Sequence, residues 1–170
     1  ALTGALRFLE DVQPASGAAI AHFIRYIVPL CSPAPGVHVS SSSIETFGAV
    51  EMSYDASSEV LAEALVHEFH HAKLELLMES IELVKDTTSE AVFYSPWRID
   101  PRPLSGILHG CFAFQAVGAL WCDFLVKYPG HPRRGAMEAR LARRTDEVSA
   151  GLEMIYRHSR LTEAGRTIVE

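Results

Sequence analysis

"ALVHEFHHAKLELL", residues 64–77, sets three histidines and two glutamates into an otherwise apolar run. Leu65, Val66, Phe69, Leu74 and Leu77 recur at helical spacing, so the segment reads as a helix with a buried face. His67 and His71 stand four apart, and side chains at that spacing project from one face, one turn from each other. Glu68 lies beside them. The pattern is H-E-x-x-H, which brings two imidazole nitrogens to one divalent metal with a carboxylate nearby. Buried imidazoles need partners. A single cation would satisfy both; a hydrogen-bonded pair of core histidines is the competing arrangement. His70 diverges from the line joining the other two and reads as a neighbour of the site, not a ligand.

The flanking segments place this helix in a fold. Asp55, Ser57 and Ser58 compete to cap it, Glu59 suits the positive end of its dipole, and it is expected to run to about Lys85, where "DTTSE" breaks it. Upstream, "VHVSS" and "FGAVEMSY", separated by "SIET", read as an antiparallel hairpin and as the only stretch with strand character. His38 sits on its solvent face. "LRFLEDV" reads as a short helix. "PASGAAIAHFIRYIVPL" reads as a second, begun near Pro14 and ended by Pro29 and "CSPAPG", with His22 an ordinary core or surface residue.

Downstream, Pro96, Pro101 and Pro103 hold "AVFYSPWRIDPRPLSG" extended. Residues 104–126, "LSGILHGCFAFQAVGALWCDFLV", are long enough to span a bilayer. His109, Gln115 and Asp123 interrupt the run, which favours a buried central helix over a membrane span. "AMEARLARRTDEVSAGLEMIYRH" closes the chain as an amphipathic helix whose charges form a solvated face. The expected fold is α+β and predominantly helical, a single domain over residues 1–170. Its zincin-like arrangement sets a small hairpin before the H-E-x-x-H helix, packed on the central helix and the C-terminal amphipathic one.

Composition narrows the function. The 170 residues suffice for one core, with 48% hydrophobic and 21% charged residues. A net charge of −6 offers no basic surface to nucleic acid or anionic lipid. Cys31, Cys111 and Cys122 are too few and odd in number for a disulfide framework, which fits a reducing, cytoplasmic setting. No secretory signal pattern opens the chain, and the absence of an initial methionine fits a piece of a longer protein.

Two histidines do not complete a metal site. The extended form with G-x-x-H after the second histidine is absent, since "AKLELL" follows His71. Glu75, Glu79 and Glu90 are downstream carboxylates. The stronger candidate is His109, a polar ring amid Ile107, Leu108, Cys111 and Phe112, flanked by Gly106 and Gly110, which permit close approach. The loop leading to it carries Arg98 and Arg102 with Asp100 between them. Arginine forks hold carboxylates in bidentate fashion, so the loop suits an acidic co-substrate; pairing with Asp100 is the plainer alternative.

"LVHEFHHAKLELL" followed by "YSPWRIDPRPLSGILHGCFAFQAV" resembles the H-E-x-x-H proteins of bacterial peptide-modification gene clusters, a family understood as iron(II)- and 2-oxoglutarate-dependent peptide β-hydroxylases. The resemblance covers roughly residues 37 to 126 and is specific in the "WR-x-DPRP-x-x-G-x-LHG" segment. It implies that His67, His71 and His109 bind iron(II), that Arg102 or Arg98 holds the distal carboxylate of 2-oxoglutarate, and that O2 is consumed. The implied partner is a ribosomally made precursor peptide, hydroxylated on a side-chain β-carbon. Glu68 would then orient a ligand or a bound water. The usual non-haem iron site has two histidines and a carboxylate, which keeps Asp100 and Glu75 open as the third donor. Phe93, Tyr94 and Trp97 would wall out water. Two further readings stand beside it: a zinc metallopeptidase with Glu68 as general base, and a non-catalytic domain with a structural metal or none.

Overall fold

Ala5, Leu9 and Val12 recur at helical spacing and are buried, forming the inner face of α1 (Leu2–Val12). A computed structural model describes residues 1–53, 56–85, 92–158 and 161–169 of the chain. It is predominantly helical with one small sheet, an α+β arrangement. α2 (Pro14–Phe23) begins on Pro14, whose missing N–H is no loss at the first helical position.

α2 ends at Phe23, earlier than the expected stop at Pro29, and Tyr26–Leu30 form β1 instead. The reason is long-range pairing. The amides of Arg25 and Tyr26 both donate to the carbonyl of Gly48, at 2.7 and 3.1 Å, and β1 pairs in parallel with β3 (Ala49–Ser53). Gly48 holds a φ of +88°, a turn that a side chain would strain. Pro29 is tolerated because β1 is an edge strand in the order β1-β3-β2. The expected antiparallel pair is present, with β2 (Ser40–Ser42) against β3, and Ile44–Thr46 form a 3-10 turn between them.

α3 (Ser58–Met78) carries the H-E-x-x-H segment and is capped by Ser57, whose hydroxyl accepts from the Val60 amide. Of the other two cap candidates, Ser58 is the first helical residue and its hydroxyl donates to the Ala1 carbonyl, and Asp55 lies outside the described residues. The helix stops seven residues before Lys85. Beyond it Leu83 is buried among Leu74, Ile107, Leu108 and Ile155, and its carbonyl accepts from the Thr162 amide. The tertiary contact outweighs helical continuation.

α4 (Leu104–Lys127) is the central helix, packed on α3 and on α5 (Arg134–His158); α6 (Glu163–Val169) follows. It is the one helix among the described residues long and apolar enough to cross a membrane, and Ile107, Leu108, Val117, Leu120 and Trp121 on it are buried. Contacts of Trp121 with Glu63 and of His109 with His71 show that α3 and α4 run antiparallel. The charges of α5 are not simply a solvated face. Arg144 donates to Glu63 of α3 at 2.8 Å and to Glu147 at 2.6 Å, while Arg140 donates to Glu63 at 2.7 Å. Glu63 thereby finds partners at a half-buried helix contact.

The proline-braced loop is tied down at two points. Phe93 and Arg102 exchange backbone hydrogen bonds of 2.8 and 2.9 Å, and the Trp97 indole lies in a notch formed by Gly110 of α4 and Gly151 of α5. A Cβ on Gly110 would sit 1.9 Å from the indole ring. Gly110→Ala should therefore cost about 1–3 kcal/mol of stability through overpacking, measured by urea denaturation. The Trp97→Leu/Gly110→Ala double variant should be less destabilised than the sum of the single changes.

Candidate metal centre

Burial of α3 on two sides leaves its polar stripe inside the protein. His67, Glu68, His71 and Glu75 all line one cavity of about 440 Å³, and the facing wall brings Trp97, Arg98, Arg102 and His109 to the same space. The residues expected to act together thus share one cavity.

The Nε2 atoms of His67 and His71 lie 2.9 Å apart. This is the competing arrangement of a hydrogen-bonded histidine pair, one Nε2 donating to the other across rings inclined at 87°. Two metal–nitrogen bonds of ~2.05 Å meeting at a right angle span the same ~2.9 Å, so the pair suits one cation once the shared proton is displaced. Burial, then the neighbouring His71, pushes the pKa of His67 down to about 3. Burial, then His109, pushes that of His71 down to about 4. Both are neutral at pH 7, the form that ligates a metal. The His109 ring stands 5.8 Å from that of His71, stacked at 22°, and burial lowers its pKa too. Among the described residues no three His, Cys, Asp or Glu side chains form a ready-made ligand cluster. Two imidazoles are an incomplete donor set, so a metal held here would need a third donor from the cavity wall.

Glu75 competes with His109 for that place. One of its carboxylate oxygens is buried without a hydrogen-bond partner. It sits one turn beyond His71, and helical side chains lean back toward the N-terminus, so the reach from Glu75 is shorter than sequence spacing alone conveys. Glu79 is exposed, and Glu90 lies outside the described residues. Asp100 is committed elsewhere: its oxygens accept from Arg98 at 2.8 Å and Arg102 at 2.9 Å. The plain pairing therefore holds for both arginines, yet Arg102 Nε remains buried and unpartnered at the cavity.

Glu68 is 3% exposed, and its two oxygens accept from the hydroxyls of Ser40 at 2.6 Å and Ser42 at 2.7 Å. Burial raises its pKa and the two serines oppose the rise. Those serines were not singled out from sequence, although their spacing of two on a strand puts both on one face. Phe114 and Arg144 also escaped notice. The Phe114 ring is 4.4 Å from that of His67, and the Arg144 guanidinium lies 4.3 Å from the Phe114 centroid. His70 donates from Nδ1 to the Val66 carbonyl at 2.8 Å and lies against Phe112. No protein-family model and no curated protein matches the chain.

The suppressed basicity of His67 and His71 carries a stability cost in acid. Unfolded histidines take up protons near pH 6.5 that these folded ones refuse until about 3 and 4, so stability falls with pH through that window. The metal-free protein should lose on the order of 2 kcal/mol from His67 between pH 7 and pH 5. Chemical denaturation in chelator at the two pH values reads this, and the difference should shrink in His67→Gln.

Proposed function

We propose that the protein is an iron(II)- and 2-oxoglutarate-dependent oxygenase that hydroxylates a side-chain β-carbon of a peptide, with His67, His71 and His109 holding the metal. The observation that supports this most is the meeting, in one cavity, of two imidazoles whose Nε2 atoms lie 2.9 Å apart and an arginine whose Nε is buried and, among the described residues, without a hydrogen-bond partner. Arg102, with Arg98 beside it, binds the distal carboxylate of 2-oxoglutarate; Asp100 keeps both guanidinium groups at the cavity mouth. Bound iron(II), with 2-oxoglutarate and O2, supplies the oxidising chemistry. Trp97 and Phe114 shield the space from water. The precursor peptide is the partner this reading calls for.

Glu68 acts here as a strut. Its carboxylate ties α3 to β2 through the two serines, which orients His67 on the adjacent position. The zincin-like element of the reading is this strand held against the H-E-x-x-H helix. A zinc peptidase would use Glu68 to take a proton from a water, and the arginine-bearing wall of the cavity would have no part in that reaction.

Iron(II)-loaded protein should bind 2-oxoglutarate without oxygen, giving a visible charge-transfer band, and should form succinate once oxygen is admitted. Arg102→Ala should weaken 2-oxoglutarate binding about tenfold or more, the size of a lost charge-assisted hydrogen bond. No succinate, together with zinc-dependent peptide cleavage lost in Glu68→Gln, would overturn the reading. Metal analysis assigns the third ligand: His109→Ala should lose the ion. Retention there, with loss in Glu75→Gln, would transfer the role to Glu75.

A further inference from the structure

On the other side of Glu68 lies a second cavity of about 360 Å³. Ser42 and Glu68 line both cavities, so one wall separates them. The second is built differently. Phe23, Phe47 and Phe69 gather with ring centroids 5.7 to 6.0 Å apart, and Val50, Leu76 and Leu77 complete the apolar lining. Phe23, Phe47 and Leu76 remain 43%, 45% and 50% exposed, an apolar rim left in water. Among the described residues Lys73 is the only cationic side chain lining the cavity, with Nζ 5.5 Å from the Phe69 centroid. Among the described residues it makes no ion pair. Glu68, the only anion, is already engaged by Ser40 and Ser42.

We propose that this second cavity binds the bulky apolar side chain of a peptide, with an acidic residue next to it drawn to Lys73. The apolar walls select the side chain, and the unpaired ammonium selects the neighbouring carboxylate. The volume lies within the range of ligand sites, and a cation beside the apolar walls matches an apolar residue with a carboxylate next to it. The proposal rests on the hydroxylase reading for one point only, that the peptide continues past Ser42 and Glu68 into the metal cavity.

The test uses the full chain without metal or 2-oxoglutarate and the capped dipeptide N-acetyl-leucyl-aspartate amide, with binding followed by ligand-observed NMR. Saturable binding is expected. Replacing leucine by alanine in the probe should weaken it at least about tenfold, from the lost apolar burial. Replacing aspartate by asparagine should weaken it roughly two- to fivefold, the size of an exposed ion pair, and that difference should vanish in Lys73→Gln. Ala72→Phe, which fills the cavity from α3, should abolish binding, and Leu76→Gln at the exposed rim should weaken it in a variant that keeps its fold. No saturable binding, equal binding of the alanyl probe, or binding undiminished in both Ala72→Phe and Leu76→Gln would overturn the proposal. Because neither iron nor co-substrate is present, such a failure leaves the oxygenase reading standing, and a failure of iron or 2-oxoglutarate binding leaves this one.

Discussion

A carboxylate taken out of water has to find donors, and Glu68 is almost wholly out of water. It finds them in Ser40 and Ser42, on a strand remote from it in sequence. That clasp holds the small sheet against α3 and forms the wall between the two cavities. It also fixes the helix turn that presents His67 and His71. Removing the clasp would leave a buried charge without donors, while Val50 and Met52 would still pack β3 into the core with Leu61, Leu65 and Phe69 of α3.

The opposite wall rests on packing. Gly110 and Gly151 lack side chains where α4 and α5 face the loop, and Trp97 fills the notch. The indole therefore pins the loop between Phe93 and Arg102 beside His109. Phe114 continues the aromatic contact to His67, and Arg144 lies against the Phe114 ring while bound to Glu63 and Glu147. One imidazole is thus backed by an aromatic ring, a guanidinium and two carboxylates drawn from three helices. Rigid backing of this kind keeps two neutral rings turned to the same point.

Several elements were legible beforehand because their signals are local. The H-E-x-x-H spacing, the capping serine, the antiparallel pair around "SIET" and the apolar run of α4 each depend on residues within a turn or a hairpin of one another. β1 was read as helix because Ile24–Leu30 carries no local mark of its partner; its strand conformation comes from β3, more than twenty residues away. The early end of α3 has the same origin, in the burial of Leu83 against α4 and α5. The charges of α5 gave no local sign that Glu63 would need them.

The residue types and spacings alone determined that two histidines and a glutamate share a helix turn, that an arginine-bearing loop precedes a third histidine, and that residues 104–126 form one long apolar helix. Only the tertiary structure decided that these parts meet in one cavity, that Glu68 is spent on two serines, that Asp100 is held by both arginines and that Glu75 lines the cavity with one carboxylate oxygen lacking a hydrogen-bond partner among the described residues. The division has a physical cause. Helical periodicity is written along the chain, whereas the partner of a buried polar group is set by which distant segment packs over it.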